Sequence, residues 1–586
     1  MCGLYIYTLL SSTNAQTPRS FRKRSRIMFE KFESFIHNAI QSSQKRNLIL
    51  VATLIAFILS ILMIAPGKMV LAKMLPGKNN DTFNIYVTLA SGSSIFQTQE
   101  VTACVSDILT QEKELRDLEV FLGMGSPLDF AGLIKGSQFK NSENVAEIVL
   151  NLTKKHHRDE PSYLIVQRLR PVVQSQCQKL YEGTKISFVE PPAGPPTMAA
   201  IVAEIYGDNE KGIRKLSSKV ADVFHKTDGL VDIDIMQDDM FDTFKIVVNN
   251  TKIVRSGVDI EQLNNIIYLA FEGMQIAVKN SELYNDQVPI YLSLSKESKS
   301  FTKKDLDAIK VKLSALKLMN KQGIMIPLTE LVSIETDKSH PMILSKELHM
   351  MSNVMAETDM VSQVYPLMDA RNTILDTFKD TYTIEKIGLF NLQLTDKANA
   401  KVYKLIWDGE MEVTLDTFVE LGAAFIAALF MIYLLMVIYY KSYTISGIIL
   451  LGSFLSIIGV IVGHFIMDIF TTQTFFLTAT SLIGFIALIG ISSRNSLLLI
   501  DFTKTLMRDK GMNQATAIAH SAATRAKPIF LTAVAIMLAS TLLAGDAVFG
   551  GLGVSLIFGT IAAVVASLLV VPVLLNITDL KKAFDL

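Results

Sequence analysis

Arg494 is a charged residue inside the otherwise apolar stretch Gly484–Phe502. A charge in a membrane costs about 2.5–3.5 kcal/mol on insertion scales, so such residues usually face a bundle interior or a cavity and have a partner. Asp501 lies two helical turns further along the same predicted face. Gly490 lies one turn before Arg494, where it lets a neighbouring helix approach closely. We predict an ionic coupling site here; the alternative is that Arg494 snorkels to the cytoplasmic interface.

Composition sets the broad class of the protein. The 586 residues are 50% hydrophobic and their mean hydropathy is +0.34, which is too apolar and too long for one soluble domain. The formal net charge is zero, which gives no indication of a nucleic-acid partner. The sequence contains no Gly-x-x-x-x-Gly-Lys-Ser/Thr loop. We therefore expect no enzymatic activity and no cofactor, with energy taken from an ion gradient.

Apolar runs of spanning length predict a polytopic α-helical membrane protein with one span, one large polar insert and five further spans. Polar tails at 1–46 and 577–586 flank these runs. Within the first tail, Phe29–Ile40 has helix-spaced apolar residues and is predicted to lie along the membrane surface. The predicted transmembrane helices are 47–66, 418–440, 445–467, 475–502, 528–545 and 549–576.

The basic residues near the spans predict the orientation of the chain. The loops at 441–444 and 504–527 and the C-terminal tail carry lysine or arginine, whereas the alternate loops 468–474 and 546–548 carry none. By the positive-inside rule both termini are cytoplasmic and the insert lies outside the cytoplasm.

Small residues predict close packing between the spans. Gly459 and Gly463 form a small-xxx-small pair in the third span. A stripe of small residues recurs every four positions in the sixth span, at Ser555, Gly559, Ala563 and Ser567. His464, next to Gly463, we interpret as a packed interfacial histidine rather than a proton relay.

The insert is predicted to be α+β. Two β-α-β units follow each other before residue 195, the order of the split βαβ (ferredoxin-like) pattern. A second such set begins at Ala200 and is completed only after Met350, so a separate block is inserted in it. The loop 123–144 is interpreted as a mobile loop or, equally, as an ordinary connector. Its notable residues are Gly123, Gly125, Phe130, Gly132 and Gly136.

Several motifs in the C-terminal part resemble those of resistance-nodulation-division (RND) efflux permeases. They are Gly490–Phe502, Ala515–Ala517, Arg525–Thr532 and Val570–Val573, in this order. The segments Met74–Lys78 and Phe83–Ser93 resemble the start of the family's second periplasmic half. The resemblance covers nearly the whole chain from about Phe35, and it is closest to the C-terminal half of the drug-efflux (acriflavin-resistance-like) branch.

This resemblance implies a function and a domain organisation. Residues 67–195 and the split set 196–243 and 338–405 would be two porter subdomains, 244–337 a docking subdomain, and the loop 123–144 part of a substrate cleft. The chain would sit in a bacterial inner membrane and export small amphiphilic or toxic compounds by proton antiport. A trimeric assembly with a periplasmic adaptor and an outer-membrane channel is implied too. Residues matching the family's proton-relay region are Arg494, Asn495, Asp501 and Thr532.

The chain departs from the family pattern in two ways. No predicted span contains adjacent aspartates, so the resemblance implies a partner: a second half that carries the intramembrane aspartates. Arg494 stands where the family usually has lysine, and arginine does not deprotonate in a protein. Arg494 is therefore predicted to be a fixed countercharge and not a proton carrier.

Three alternatives remain open from the sequence. A Sec-associated protein-translocation motor subunit has the same layout of spans, but it should carry an aspartate where Arg494 stands. The chain could also be a non-transporting receptor or the non-functional product of a broken permease gene. A metal-ion exporter is a third possibility, because thioethers suit Cu(I) and the chain has 25 methionines, although no metal-ligand cluster is predicted. The methionines considered are Met350, Met351, Met355 and Met360.

A disulfide between Cys104 and Cys177 is a conditional prediction. Both cysteines lie on helices of the first βαβ set, which pack side by side on one face of the sheet. An oxidising compartment outside the cytoplasm would permit the bond. The faces of the two helices could still hold the thiols apart.

Overall fold

The computed structural model describes most of the chain, with side chains described from Phe29 onward except that of Leu306. The described residues are 19–64, 67–74, 79–127, 132–133, 141–155, 157–191, 194, 197–237, 240–284, 287–295, 298, 306–359, 362–471, 474–546 and 548–584.

Two helices precede the insert. Helix α1 (Arg19–Gln41) is amphipathic and buries Ile36 and Ile40 against Ala517 and Ile518. It is longer than the predicted Phe29–Ile40 because its basic N-terminal half carries no apolar periodicity. Helix α2 (Ser43–Ile64) follows after Ser42 and is apolar from Leu48 onward except for Thr53 and Ser60.

The first part of the insert is a four-stranded antiparallel sheet with two helices on one face. The strand order is β2-β3-β1-β4. Alternating Phe83, Ile85 and Val87 point into the core because successive side chains of a strand face opposite sides. The elements are β1 (Thr82–Thr88), α3 (Ile95–Leu109), β2 (Leu115–Leu122), β3 (Val145–Leu152), α4 (Ser162–Cys177) and β4 (Lys185–Val189).

A separate block is inserted in the second part of the insert. Its first and last strands, β7 and β12, pair antiparallel, so the chain enters and leaves the block at adjacent positions. The elements before the block are β5 (Ile201–Gly207), α5 (Glu210–His225) and β6 (Leu230–Ile235). Those of the block are β7 (Asp242–Val248), α6 (Asn250–Ser256), α7 (Ile260–Phe271), β8 (Met274–Lys279), β9 (Val288–Leu292), α8 (Leu306–Ala315), β10 (Lys317–Met319), β11 (Met325–Pro327), α9 (Leu328–Leu331) and β12 (Val332–Lys338).

After the block the chain completes a seven-stranded sheet in the order β13-β14-β5-β17-β16-β15, with β6 also paired to β14. Two of its strands, β16 and β17, were not predicted from the sequence, although buried and less buried residues alternate along both. Strand β17 leads almost directly into the second span and so joins this sheet to the membrane helices. The elements are β13 (Leu344–Lys346), β14 (His349–Thr358), α10 (Val364–Phe378), β15 (Tyr382–Ile387), β16 (Asn391–Asp396) and β17 (Val402–Asp408).

The described residues contain six helical segments that are long and apolar enough to cross a membrane: α2 and five after the insert. The fourth and fifth are longer than predicted, because a more polar segment continues each helix beyond its apolar run. The remaining helices are α11 (Glu410–Tyr440), α12 (Tyr443–Phe454), α13 (Ile457–Phe470), α14 (Ala479–Lys510), α15 (Gln514–Ala544), α16 (Gly550–Val565), α17 (Val571–Ile577) and α18 (Leu580–Ala583), with a π-helical turn at Ala566–Val570 between α16 and α17.

The predicted small residues do bring these helices together. A Cβ atom added at Gly459 would lie 2.2 Å from the carbonyl oxygen of Phe558, and one at Gly559 would lie 2.1 Å from Leu488. Helix α16 therefore packs against both α13 and α14, and any larger residue at these glycines would force the helices apart.

Candidate functional site

Arg494 lies on the open face of α14. Residues spaced along this face are exposed, whereas the opposite face is buried against the other helices of the chain. A Cβ added at Gly490 would meet no heavy atom within 4 Å. The predicted close approach at Gly490 is therefore not made by a described helix of this chain. The exposed residues are Ile483, Ala487, Gly490, Arg494, Leu498 and Thr505, and we call them the open face of α14.

Asp501 does not pair with Arg494. Its carboxylate accepts hydrogen bonds from the hydroxyls of Tyr440 at 2.9 Å and Tyr439 at 3.4 Å. Among the described residues, no carboxylate oxygen lies within 4.0 Å of the Arg494 guanidinium. The two residues share a helix, but the tyrosines of α11 hold Asp501, which sequence spacing could not reveal.

The other two predicted relay residues lie in different surroundings. Asn495 is buried at 4% exposure, on the side of α14 that faces the bundle. Thr532 is exposed on α15, and its hydroxyl donates to the carbonyl of Ile529 at 2.9 Å. The structure therefore places Arg494 and Thr532 on open surface, without a hydrogen bond between them, and does not join the four predicted residues into one network.

A buried polar cluster at the other end of α14 includes a histidine. The His464 ring contacts the hydroxyl of Ser481 at 2.8 Å and the carbonyl of Val460 at 2.8 Å. The Thr478 side chain caps the N-terminus of α14 by accepting from the backbone of Ser481. Since both ring nitrogens of His464 have a polar partner and the ring is fully buried, its geometry agrees with the packing role predicted for it.

A cleft of about 600 Å³ separates the four-stranded sheet from the seven-stranded sheet. The end of the loop 123–144 lines it through Ser142, Glu143 and Asn144. Gly123 has a φ of +71°, the left-handed region that glycine tolerates, but neither it nor Gly125 lines the cleft. Gly132 lies in a short helical segment and does not line the cleft either. Phe130 and Gly136 lie outside the described residues.

Methionines are prominent on the wall of this cleft that belongs to the second sheet. Of these methionines only Met355 was among those considered from the sequence, because the others come from separate loops and strands. His340 also lines the cleft, as do Tyr86 and Phe241 from its two sides. Within the described part of the chain, no group of three or more histidine, cysteine, aspartate or glutamate side chains could hold a metal ion. The cleft methionines are Met198, Met236, Met342 and Met355.

Cys104 and Cys177 are joined by a disulfide between α3 and α4 in the structure, with their Cα atoms 5.8 Å apart. Cys177 is fully buried and Cys104 lies against the same core. The two helices therefore present their cysteines to each other on one face of the first sheet.

The chain is similar in sequence to several known proteins. It is 32% identical over 169 residues to the swarming motility protein SwrC of Bacillus subtilis (strain 168), covering 28% of this chain and 15% of that protein. It is 23% identical over 378 residues to the multidrug resistance protein MdtC of Erwinia tasmaniensis (strain DSM 17950), covering 63% of this chain and 33% of the relative. A further MdtC, from Photorhabdus laumondii subsp. laumondii, is 23% identical over 386 residues, covering 65% of this chain and 34% of the relative.

The fold is also similar to a solved structure. A crystal structure of a heavy metal efflux pump matches 93% of this chain and 52% of its own chain, with a TM-score of 0.68 and 18% sequence identity. The chain thus spans about half the length of that pump and about a third of the MdtC relatives. The sequence profile of the AcrB/AcrD/AcrF family matches residues 1–579. With the apolar helices and the two-sheet insert, this match shows that the chain belongs to the AcrB/AcrD/AcrF family of RND efflux permeases.

Proposed function

We propose that this chain is one half of a proton-coupled RND-type permease, which exports small amphiphilic compounds together with a second half that carries membrane-embedded carboxylates. The observation that carries the proposal is the position of Arg494. Arg494 carries a permanent charge within a candidate membrane span and is exposed on the side of α14 that faces away from the chain's own bundle, on a helix face that is otherwise apolar or small. Such a face suits a second helical bundle whose acidic residues would pair with the arginine.

The proposed mechanism uses the proton to change one ion pair. Ionised carboxylates of the second half attract the Arg494 guanidinium, and protonation removes their charge and weakens the attraction. This electrostatic change is large because water is scarce at that depth. Helix α14 then shifts against the second half. Arginine keeps its charge throughout the cycle, so the carboxylates alone carry the proton.

The cleft between the two sheets is the proposed substrate path. Its lining combines apolar, aromatic and thioether side chains with a few charged groups, a combination that suits amphiphilic compounds. In the proposal the insert lies in the periplasm and contributes to a trimer that meets an adaptor and an outer-membrane channel. The chain itself acts as a transporter rather than an enzyme.

The experiment that tests the pairing is purification from the native membrane. We would tag the chain, extract it gently and identify proteins present in equal amounts by mass spectrometry. The proposal expects a second polypeptide, or a preceding segment of the same polypeptide, with spans that bear paired carboxylates. Recovery of the chain without any such partner, under conditions that keep other membrane complexes intact, would contradict the proposal and favour a non-functional permease fragment.

A second candidate function is export of a soft metal ion. The observation that favours it is the group of four methionines in the cleft, together with His340. Thioethers are ligands for Cu(I), but methionine also fills irregular apolar surfaces without binding metal. The family match gives less support to the Sec-associated motor, which would also lack its expected aspartate at position 494.

A further inference from the structure

One carboxylate in the part of the insert that contains the second sheet accepts hydrogen bonds from three groups in the part that contains the first sheet. Asp232 on β6 accepts from Arg170 Nε at 3.1 Å, from Gln174 Nε2 at 3.1 Å and from the backbone N–H of Phe188 at 3.2 Å. Its side chain is only 1% exposed. This contact crosses the boundary between the two sheets at the floor of the cleft, where Asp232 and Phe188 are lining residues.

The backbone of Asp232 is distorted in a way that produces the contact. Its φ is +51°, a left-handed value that non-glycine residues rarely adopt. The pairing of β6 with β14 shifts register at the same place, between Met355 and Glu357. A bulge re-aims a side chain that would otherwise follow the alternation of the strand. The fold thus maintains an unfavourable conformation, and its result is that the carboxylate reaches Arg170.

Arg170 is fixed by further contacts. Its Nη1 lies 3.4 Å from the carboxylate of Asp359, which also comes from the second half of the insert. Its guanidinium lies 5.7 Å from the centre of the Phe188 ring. Only 12% of its side chain is exposed. Breaking this contact would leave the buried Asp232 carboxylate without its charged partner, which is strongly unfavourable. We therefore expect the Asp232–Arg170 contact to persist when the cleft changes shape.

A second ion pair across the same boundary has the opposite character. Lys185 Nζ lies 2.7 Å from the carboxylate of Asp234, and the two side chains are 49% and 37% exposed. Exposed pairs contribute little and exchange readily with water. Elsewhere in the cleft lining, the Phe241 ring of the second half of the insert lies against Gly92 of the first half, where an added Cβ would be 2.9 Å from the ring. The two walls are therefore joined by a buried contact with several hydrogen bonds at Asp232 and by an exposed ion pair at Lys185–Asp234.

We propose that Asp232 is the pivot about which the two walls of the cleft move, and that the Lys185–Asp234 pair is the latch that holds them closed. This inference rests on the proposed function, since it takes the cleft to open and close during transport. The pivot residues position the walls and do not contact the substrate. Because the pivot is buried and the latch exposed, opening breaks the latch while the pivot keeps its hydrogen bonds.

The test measures the distance between the walls directly, in the full chain in lipid nanodiscs. Spin labels would be placed at Ser142→Cys and His340→Cys, which line opposite walls, in a Cys2→Ser background. Double electron–electron resonance would report the distribution of distances. We expect Asp234→Asn to raise the ratio of open to closed molecules by about two- to fivefold, the range that corresponds to an exposed ion pair. The exchanged pair Lys185→Asp with Asp234→Lys should restore the parent ratio.

The pivot is tested with Asp232→Asn, since asparagine tolerates the left-handed backbone and keeps the side-chain volume. We expect a broader distribution with distances absent from the parent. A second variant, Gln174→Met, removes the hydrogen bonds to Asp232 and to the Ile186 carbonyl. Because it leaves the Arg170 contact in place, it should broaden the distribution less. An unchanged distribution in Asp232→Asn, or an Asp234→Asn variant that stays closed, would overturn the assignment. If the distance distributions respond as expected but the protein exports no substrate, the proposed function is contradicted and the assignment of Asp232 as the pivot is not.

Discussion

Leu477 and Leu71 are joined by a backbone hydrogen bond of 2.8 Å, from the N–H of Leu477 to the carbonyl of Leu71. Two further bonds extend this contact, from Lys73 to the Leu477 carbonyl at 3.1 Å and from Ala479 to the Met74 carbonyl at 3.1 Å. The hydroxyl of Ser362, just before α10, donates to the carbonyl of Ala72. The N-terminus of α14 is therefore tied to the linker 67–74 and, through it, to the second sheet.

Replacing Leu477 with proline should weaken the connection between α14 and the insert. Proline removes the N–H that bonds to Leu71, and a lost hydrogen bond of this kind costs about 0.5–1.5 kcal/mol. We expect the variant to insert normally but to export substrate more slowly. Leu477→Ala, which keeps the N–H, is the matched control. Transport would be compared at equal membrane levels, and equal rates in Leu477→Pro and Leu477→Ala would contradict the coupling role.

The Cys104–Cys177 bond should stabilise the insert. Its loop spans 73 residues of sequence separation, and the chain-entropy relation gives about 4 kcal/mol for a loop of that length. Alkylation without reductant followed by mass measurement should show only Cys2 modified. The double variant Cys104→Ser with Cys177→Ser should melt at a lower temperature than the oxidised parent, and at the same temperature as the reduced parent. Two free thiols at 104 and 177 in protein purified from membranes would refute the bond.

The contact at Asp232 should depend on pH. Burial raises the pKa of Asp232 from its ordinary 3.8 to about 6, although Arg170 acts in the opposite direction. The folded state thus binds the proton more tightly than the unfolded state. The resulting contribution to the free energy of unfolding is fully present below about pH 4. It is lost as the pH rises through about 6, and it amounts to at most about 3 kcal/mol. Neighbouring charged groups from both halves of the insert are Arg170, Lys185, Asp234, Glu357 and Asp359.

Melting temperatures between pH 4 and pH 7.5 measure this effect. In Asp232→Asn the part of the pH dependence centred near pH 6 should disappear. The matched control is Asp234→Asn, two residues away and partly exposed, which should keep the slope of the parent. The same slope in Asp232→Asn and in the parent would assign the titration to another group.

Substitutions in the cleft separate the two candidate substrate classes. Leucine is apolar and has nearly the volume of methionine. Met236→Leu with Met355→Leu should therefore change the affinity for an amphiphilic dye by no more than about twofold. A soft-metal site would lose its affinity for Ag(I), because leucine has no sulfur. Equilibrium dialysis with each ligand measures both affinities, and Met274→Leu, on strand β8 outside the cleft, is the control. Tight Ag(I) binding by the parent, lost in the double variant, would favour metal export.

Much of the fold could be predicted from local patterns. The apolar runs predicted six spanning helices, and six are present among the described residues. The small residues at Gly459 and Gly559 predicted close helix contacts that the structure contains. Such patterns are local, since a helix or a span is determined by residues near each other in the sequence. Helix ends were predicted less well, because α14 continues past Phe502 to Lys510 through a mostly polar segment.

The candidate sites depend on contacts between distant residues, and these left little trace in the sequence. The sequence spacing placed Asp501 on the same helix face as Arg494, but its hydrogen-bond partner is Tyr440 of another helix. The bulge that turns Asp232 toward Arg170 has no glycine to mark it, and aspartate in a strand usually indicates only a solvated position. The cleft methionines come from four separate segments, so no sequence window contains them together.

The central claim is that Arg494 is the fixed countercharge of the proton cycle. Dye retention would be measured in cells that express this chain with its second half, with membrane levels checked by blot. The account predicts that Arg494→Met abolishes efflux and that Arg494→Lys keeps substantial efflux, because lysine retains the charge with a different geometry. Arg508→Met, at the exposed end of the same helix, should export like the parent. If Arg494→Met exports dye as well as the parent does, then Arg494 only anchors α14 at the membrane interface and the coupling mechanism is wrong.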